Sequence, residues 1–529
     1  MRILLDRASS RAMDADAIER LGVSGLQLME NAGRGAAEGI LDSLPDALGQ
    51  VVLVGGPGNN GGDAWVVARH LWLRGIRLRA ILLGSIEALS SDSASNFSAL
   101  RALGIEVECA QGEGILGALD AALEGATLIV DGLFGTGLDR PIEGPLALAI
   151  RAMNEAPAPI VALDLPSGID ADTGAILGAA TEATLTVTFG AAKRGLYQHP
   201  GAARAGQIRV ASIGVPPPRS APMRLLESAD LATWLPPRAA HFHKGLAGHI
   251  VVIGGSVGKT GAALLAGLGA LGAGAGLVTL AARDEARRVL ESKVIELMTA
   301  ELSAGSALGQ ARALLEGKRA AVLGPGLGLD PEGRALCLAL AEEAELPLVL
   351  DADALSALAN AGEGGLGRLR AAPCARVLTP HPGEAARLLG RSVSEVQGDR
   401  HAAAQALAER AGQPVVLKGA GTIVACPEGR ALVCGHSLPA MGAAGMGDVL
   451  AGILGALLGG GADAFEAAGA AVELHALAAQ LASQSDRGLL ASELARAIPA
   501  ALERARIAAA LPRPGAPIPE DRAPLGGLR

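Results

Sequence analysis

Short apolar runs bounded by turn residues alternate with helix-length stretches along most of the chain, a pattern expected of parallel strands covered by helices on both faces. In the first half it predicts a helix over Ala8–Asp42, a strand at Val51–Val54 and an amphipathic helix over Ala64–Arg74. Further strands follow at Leu78–Leu83, Glu106–Cys109, Leu128–Asp131, Ile160–Asp164, Thr184–Phe189 and Gln207–Ile213. The stretch Val215–Pro222 contains four prolines and breaks the rhythm, so residues 215–222 are expected to link a first domain at 1–214 to a second at 223–510. Alternation restarts at His241–Ser256. Strands are expected at Leu277–Ala281, Ala321–Leu323, Leu348–Leu350 and Val377–Leu378, then a hairpin from Pro414 through Val433 and an apolar helix over Val449–Leu458. Thr260–Ala282 is uncharged and long enough to span a bilayer, but its alanines and six glycines make it weakly apolar. It is expected to be a buried helix, a turn and a strand. Residues 511–529 are proline-rich and aperiodic, and are expected to be a loose tail.

Composition narrows the function classes. With 529 residues, half of them apolar and 19% charged, the chain is expected to be globular and multidomain. A net charge of −9 with only nine Phe, Trp and Tyr residues leaves neither a basic stripe nor a stacking platform, which argues against nucleic-acid binding. Five cysteines at 109, 337, 374, 426 and 434 have no zinc or disulfide spacing, and the N-terminus lacks a signal-peptide apolar core, so a cytoplasmic protein without a membrane anchor is expected. There are six lysines against 39 arginines, which draws notice to Lys193, Lys244 and Lys418 inside motif-like stretches.

The candidate chemistry lies at strand ends. Gly55–Trp65, GGPGNNGGDAW, is expected to be the first loop of an open parallel sheet, where such folds bind phosphates and dinucleotides. A tight turn alone would account for some of its glycines, but not for Asn59, Asn60 and Asp63 together. Asp131 leads into GLFGTG and Asp164 into LPSGID; each could cap a helix, or face a ligand at the carboxyl edge of the sheet. The oxygens of Asn60, Asp131 and Ser167 suit a hard cation. In the second half, Gly442–Gly452 reads as a glycine loop opening a helix, whose free N–H groups and dipole favour an anion. Asp448 in its first turn could deprotonate an attacking hydroxyl or merely cap the helix. Lys418 and Thr422 in KGAGT could hold phosphates or form an ordinary turn, and His381 stands between two prolines as either a ligand or a satisfied loop histidine.

Taken together, GPGNNGGD, DGLFGTG, DLPSGID and FGAAKRGL, followed by HKGLAGHIVVIGGS, GPGLG, TPHPGE, VLKGAGT and GAAGMGD, resemble the motifs of the bifunctional NAD(P)H-hydrate repair enzymes over nearly the whole chain. The resemblance implies an α/β fold, an N-terminal Rossmann-like three-layer sandwich followed by a C-terminal ribokinase-like α/β domain. It implies an NAD(P)H-hydrate epimerase fused to an ADP-dependent dehydratase, acting on the small molecules NADHX and NADPHX, with K+ in the epimerase, ADP and Mg2+ in the dehydratase, and a homo-oligomeric assembly. By matched motif, Asn59, Asn60, Gly61, Gly62 and Asp63, the run Gly132, Leu133, Phe134, Gly135, Thr136 and Gly137, and Asp164 would hold the hydrate. Asp164 would be the epimerase acid/base, and Asn60, Asp131 and Ser167 would bind potassium. In the second domain Ala262, Gly326, His381 and the catalytic Asp448 would contact the hydrate, and Lys418, Gly419, Ala420, Gly421, Thr422 and Gly447 the nucleotide. The chain departs from the family pattern at Ala64, where glycine is common, and at Met446, where Ser or Thr is usual. The competing reading is a ribokinase-like vitamin or sugar kinase fused to a non-catalytic ligand-binding scaffold.

Overall fold

A computed structural model describes residues 1–218, 221–362 and 364–510, and the chain packs as two compact units. One comprises Arg2–Leu225 with Pro380–Ser437, the other Leu226–Thr379 with the chain from Leu438 on. Residues 219 and 220 of the expected linker, and the expected tail at 511–529, lie outside the described residues.

The first unit is built on a seven-stranded parallel sheet. Its spatial order is Val107–Ala110, Arg77–Leu83, Gln50–Gly55, Leu128–Gly132, Ile160–Leu163, Leu185–Phe189 and Gln207–Ala211. The twofold alternation of a strand sends successive side chains to opposite faces. Val51 and Leu53 enter one core with Ile40, Trp65 and Leu71, while Val52 and Val54 enter another with Leu119, Ile150 and Met153. Both faces are therefore covered by helices, which makes the three-layer Rossmann-like sandwich. Each fully buried Val, Leu or Ile contributes about 1.5–3 kcal/mol. The chain runs outward from Gln50–Gly55 on one side and then restarts at Leu128–Gly132 beside it. That reversal opens a crevice at the carboxyl ends of these two strands, where open α/β sheets take their ligands.

The expected helix over Ala8–Asp42 is two helices, Arg7–Glu19 and Gly25–Ser43. Gly22 adopts φ 72° between them, and Ser24 starts the second with a capping box to Gln27, a local signal that overrides the continuous apolar spacing. The glycine-rich stretch is likewise not all loop. The next helix begins at Asn59 and runs to Trp72, so Asn59–Asp63 form its first turn. The strand expected to end at Asp164 ends at Leu163, because Asp164 turns left-handed.

A second sheet in this unit joins Val415–Leu417, Ile423–Ala425 and Ala431–Val433, an antiparallel meander that extends the expected hairpin. Met223–Leu225, Arg2–Leu5 and Ala192–Lys193 complete it.

The other unit carries a parallel sheet in the order Met298–Glu301, Leu277–Ala282, His249–Ile253, Ala320–Leu323, Leu348–Leu350 and Arg376–Leu378. It too reverses direction, between His249–Ile253 and Ala320–Leu323. Residues 260–282 form the expected helix, Thr260–Gly272, and strand, Leu277–Ala282. No helix among the described residues is long and apolar enough to cross a membrane. The helix Met446–Gly459 lies against Thr260–Gly272 so closely that a Cβ on Gly452 would stand 1.9 Å from the Ala266 carbonyl oxygen, and one on Gly269 2.4 Å from that of Val449. Glycine is required at this crossing for backbone approach.

Candidate active sites

In the first unit, a cavity of about 630 Å3 opens at the sheet's reversal point and is lined by Asn59, Asn60, Asp63, Leu133–Leu138, Asp164 and Lys193, with Asp14 from the first helix. Asp164 sits at φ 65°, an uncommon conformation for a non-glycine residue and one that aspartate tolerates better than most. The turn brings its carboxylate into the cavity. Oδ1 accepts from Lys193 Nζ at 2.5 Å and Thr188 Oγ1 at 3.2 Å, while Oδ2 accepts from the Thr136 hydroxyl and, at 3.3 Å, from its backbone N–H. Burial alone would raise the pKa of this group. The Lys193 charge and the hydrogen bonds from Lys193, Thr136 and Phe189 outweigh burial and hold it below the ordinary carboxylate value. Lys193 also donates to Phe189 O at 2.8 Å and to Thr188 Oγ1 at 3.1 Å. An ammonium has three protons, and these contacts use them all.

Asp63 has the opposite environment. Burial raises its pKa well above the ordinary value, and the neighbouring negative charges of Asp164 and Asp14 add to the rise. Asp14 is raised by burial as well, and by Asp164, with Lys193 opposing. The surroundings thus push the Asp63 carboxyl toward its neutral form and hold that of Asp164 toward its ionised one.

The loop after Asp131 is pinned through its own amides. Leu133 N donates to Asp131 Oδ1 at 3.2 Å, Phe134 N to Ser167 Oγ at 2.9 Å, and Thr136 N to Asp164. Ser167 donates from Oγ to Asp131 Oδ1 at 2.6 Å and from its backbone N–H to Oδ2 at 2.9 Å. Asp131 is fully buried, no cation pairs with it among the described residues, and burial raises its pKa against these hydrogen bonds. Asn60 is buried with neither its side-chain oxygen nor its nitrogen hydrogen-bonded. An unpaired buried carboxylate, an orphaned amide oxygen and a hydroxyl are a donor set that an alkali cation would satisfy. Among the described residues no group of three His, Cys, Asp or Glu side chains is arranged to hold a metal.

Ala64 is fully buried, and a Cβ at Gly132 would lie 2.8 Å from the Ala64 Cβ. The missing side chain at Gly132 leaves the room that the Ala64 methyl occupies.

In the other unit, Gly255 N donates to Pro325 O at 2.8 Å and ties the loops after the two reversal strands together. A Cβ on Gly326 would meet Lys259 O at 2.7 Å and the Ala262 Cβ at 3.2 Å, so Ala262 and Gly326 lie together. Asp448 lies in the first turn of Met446–Gly459, whose N-cap Gly445 has φ 90°. Leu265 packs beside Gly445 and Gly269 beside Val449. The two helices therefore run the same way, and the starts carrying Ala262 and Asp448 lie at one end. Met446 is buried, and its carbonyl accepts from His475 Nε2 at 2.9 Å. Asp353 Oδ2 accepts from Gly328 N at 2.9 Å and lies 3.9 Å from Lys259 Nζ, beside Ala352 at φ 49°.

His381 begins the helix Pro382–Leu389, and its Nδ1 accepts from the backbone N–H groups of Gly383 and Glu384 at 3.0 and 3.3 Å. Its Nε2 edge is 3.5 Å from Glu384, and the side chain is 52% exposed. Lys418–Thr422 link strands Val415–Leu417 and Ile423–Ala425, with Gly419 and Gly421 at φ 136° and 65° and Thr422 Oγ1 donating to Gly419 O at 2.7 Å.

Sequence reasoning marked Lys193 by its surroundings but gave it no role. It missed Asp14, which carries no motif, and Lys259 and Asp353, although the latter stands in DADAL at a strand end.

Residues 25–195 match the family described as YjeF-related protein N-terminus, and residues 250–500 the one described as NAD(P)H-hydrate dehydratase. The bifunctional NAD(P)H-hydrate repair enzyme Nnr of Moorella thermoacetica is 38% identical over 514 residues, covering 94% of this chain and 96% of its own. That of Escherichia coli is 38% identical over 489 residues, covering 92% and 91%. Among solved structures, the ADP/ATP-dependent NAD(P)H-hydrate dehydratase of Bacillus subtilis is 28% identical over 53% of this chain and 98% of its own, with a TM-score of 0.46. On sequence matches that span both halves at this identity, the chain belongs to the family of bifunctional NAD(P)H-hydrate repair enzymes.

Proposed function

We propose that the chain repairs hydrated NADH and NADPH, its first half interconverting the R and S hydrates and its second half dehydrating the S hydrate with ADP as phosphate donor. The observation that carries the epimerase reading is the Asp164–Lys193 pair facing a cavity of nucleotide size. Water added to a reduced nicotinamide leaves a hydroxyl on carbon 6, beside the ring nitrogen. Asp164, ionised, accepts the hydroxyl proton as the carbon–nitrogen bond opens to an aldehyde. The nitrogen gains a proton, for which Asp63, pushed toward its neutral form by burial in the same cavity, is the candidate donor, and reclosure on the other face inverts carbon 6. Lys193 gives one proton to Asp164 and its other two to Phe189 O and Thr188 Oγ1, and is a positioning residue. Asn60, Asp131 and Ser167 would hold K+, which supplies a fixed positive charge beside the substrate. Asn59–Asp63 and Gly132–Gly137 would line the hydrate.

In the second half hydroxide is a poor leaving group, and phosphorylation solves that. Asp448 takes the proton from the carbon 6 hydroxyl as the oxygen attacks the terminal phosphorus of ADP, and the open N–H groups at the helix start stabilise the developing charge. The ring nitrogen lone pair then expels phosphate, and transfer of a carbon 5 proton to the departing phosphate or solvent restores the ring double bond, leaving AMP, phosphate and the reduced nicotinamide. Ala262, Gly326 and His381 would contact the hydrate, and Lys418–Thr422 and Gly447 the nucleotide. Mg2+ of this kind is held largely by nucleotide phosphates and water, which needs no dedicated cage. The homo-oligomeric assembly and cytoplasmic location expected from the sequence belong to the same reading.

One assay tests it: purified protein with a mixture of both hydrates and ADP, followed by the return of reduced-nicotinamide absorbance. Complete return supports both activities; return of only the S fraction removes the epimerase, and a stable phosphorylated product favours the kinase reading.

A further inference from the structure

The loop Lys418–Thr422 does not hold its shape by itself. Arg400, 5% exposed on the helix Arg400–Ala411, sends Nη2 to the carbonyls of Leu417 at 3.2 Å and Lys418 at 3.3 Å, and a Cβ on Gly419 would stand 3.1 Å from its Nη1. Its Nε donates to Gln198 Oε1 at 3.0 Å, and its Nη1 to Gln397 Oε1 at 2.7 Å. Gln198, 1% exposed, then donates from Nε2 to Gly421 O at 3.1 Å. At φ 65°, a Cβ on Gly421 would meet Tyr197 O at 2.3 Å, so the loop's second glycine is pressed against the backbone of the segment bearing Gln198. Gln198 follows Lys193 by five residues in the epimerase half, whereas the loop belongs to the dehydratase half. Among the described residues the hydrogen-bond partners of the Arg400 guanidinium are all neutral, and burial pushes its pKa down to about 10. A buried positive charge behind a phosphate loop, compensated only by dipoles, favours an anion in front of it.

We propose that Gln198 and Arg400 position the Lys418–Thr422 loop for the phosphates of the adenine nucleotide, so that a side chain of the epimerase half sets nucleotide affinity in the dehydratase half. This rests on the reading of that loop as a nucleotide site. Both glycines adopt left-handed φ, and each of the loop's two ends is fixed by one member of the pair, Arg400 at Leu417 and Lys418 and Gln198 at Gly421. Removing the Gln198 amide frees the Gly421 carbonyl to rotate and turns the loop's N–H groups away from a fixed direction.

The test uses the full chain with Gln198→Ala and Gln198→Glu. The glutamate variant keeps an acceptor for Arg400 Nε but loses the donor to Gly421 O, so it separates loop positioning from support of Arg400. Expected in both is a KM for ADP raised about five- to twentyfold, on the scale of one lost buried hydrogen bond, with kcat of dehydration changed less than about twofold and the epimerisation rate unchanged. Thr422→Ala and Lys418→Ala are measured alongside. If these raise the KM for ADP while both Gln198 variants leave it at the wild-type value, the positioning role is overturned and the loop reading stands. If none of the four moves it, the loop reading fails and the proposal with it. Equal losses of dehydration, epimerisation and Tm in both Gln198 variants would assign the residue a general structural role and overturn the proposal as well.

Discussion

Lys193 Nζ lies 2.5 Å from Asp164 Oδ1 in a pair nearly shut off from water, the two side chains being 3% and 10% exposed. Such a pair is more costly to break than to replace, because removing one partner strands the other as an uncompensated buried charge, at a cost of about 3–5 kcal/mol. Lys193→Met should therefore lower Tm, and the double variant Lys193→Met, Asp164→Asn should recover most of that loss while remaining inactive as an epimerase. Without the ammonium, burial dominates the carboxyl and its pKa rises. The acid limb of the epimerisation rate should move to higher pH, and the rate at neutral pH should fall by about 100-fold or more. In the wild type the folded pKa of Asp164 is lowered. Its contribution to stability is complete above the unfolded value, near 3.9, and is lost as pH falls through the folded one. Thermal melts from pH 6 to pH 3 check this.

The two activities should separate by substitution. Asp164→Asn keeps a residue type that accepts positive φ and removes the proton acceptor, at a cost in Tm from the stranded Lys193 charge. Asp448→Asn removes the proposed base of phosphoryl transfer from the first turn of its helix. Asp164→Asn should lose epimerisation by about 10²–10⁴-fold with dehydration of the S hydrate intact, and Asp448→Asn the reverse. Chromatography of the separated epimers, with absorbance for dehydration, reads both. Joint loss in either folded variant sinks the assignment.

Much of this arrangement could be read from the residues alone. Parallel strands buried on both faces leave uninterrupted apolar runs, and Val51–Val54 and Leu128–Asp131 were legible for that reason. Ala262 and Gly326 stand together because the small-residue helix start and the GPGLG loop occupy one sheet reversal, as their motifs imply. What escaped depends on long-range placement. Lys193 lies on a two-residue strand beside Leu5, and Asp14 reaches the cavity from a helix with no motif. The break between Glu19 and Gly25 rests on a left-handed Gly22 and a Ser24 cap, signals weaker than the apolar rhythm running through them. Nothing in the local sequence says that Gln198 meets Gly421, 223 residues away.

Asp63 illustrates a site residue held at the expense of stability. Its pKa is raised in the folded protein, first by burial and then by Asp164 and Asp14. The folded state therefore retains a proton that the unfolded state releases once pH passes about 3.9, and stability falls as pH rises from there toward the folded pKa. Asp63→Asn removes this titration while preserving shape. It should raise Tm at neutral pH, flatten the melt's pH dependence above pH 4, and lower epimerisation by about 10²-fold through loss of the acid. A variant with lower Tm and unchanged epimerisation would refute both the protonation state and the role.

Asp131 gives the cation reading a test that does not depend on turnover. It is a fully buried carboxyl, with hydrogen bonds from Ser167 and Leu133 but no positive partner among the described residues, and Asn60 holds an unbonded amide oxygen beside the same loop. A cation bound only by the folded state stabilises it by RT ln(1 + [L]/Kd), about 2.7 kcal/mol at a hundredfold excess over Kd. Replacing potassium by a large organic cation at constant ionic strength should therefore lower Tm and reduce epimerisation, while dehydration of the S hydrate continues. Asp131→Asn removes the charge that burial opposes, so its Tm in the organic cation should equal or exceed that of the wild type. The same substitution should abolish the potassium-dependent rise in Tm, because an amide oxygen offers the cation a dipole in place of a charge. If the wild-type melt is indifferent to potassium across the millimolar range, these oxygens form a structural knot and not a cation site.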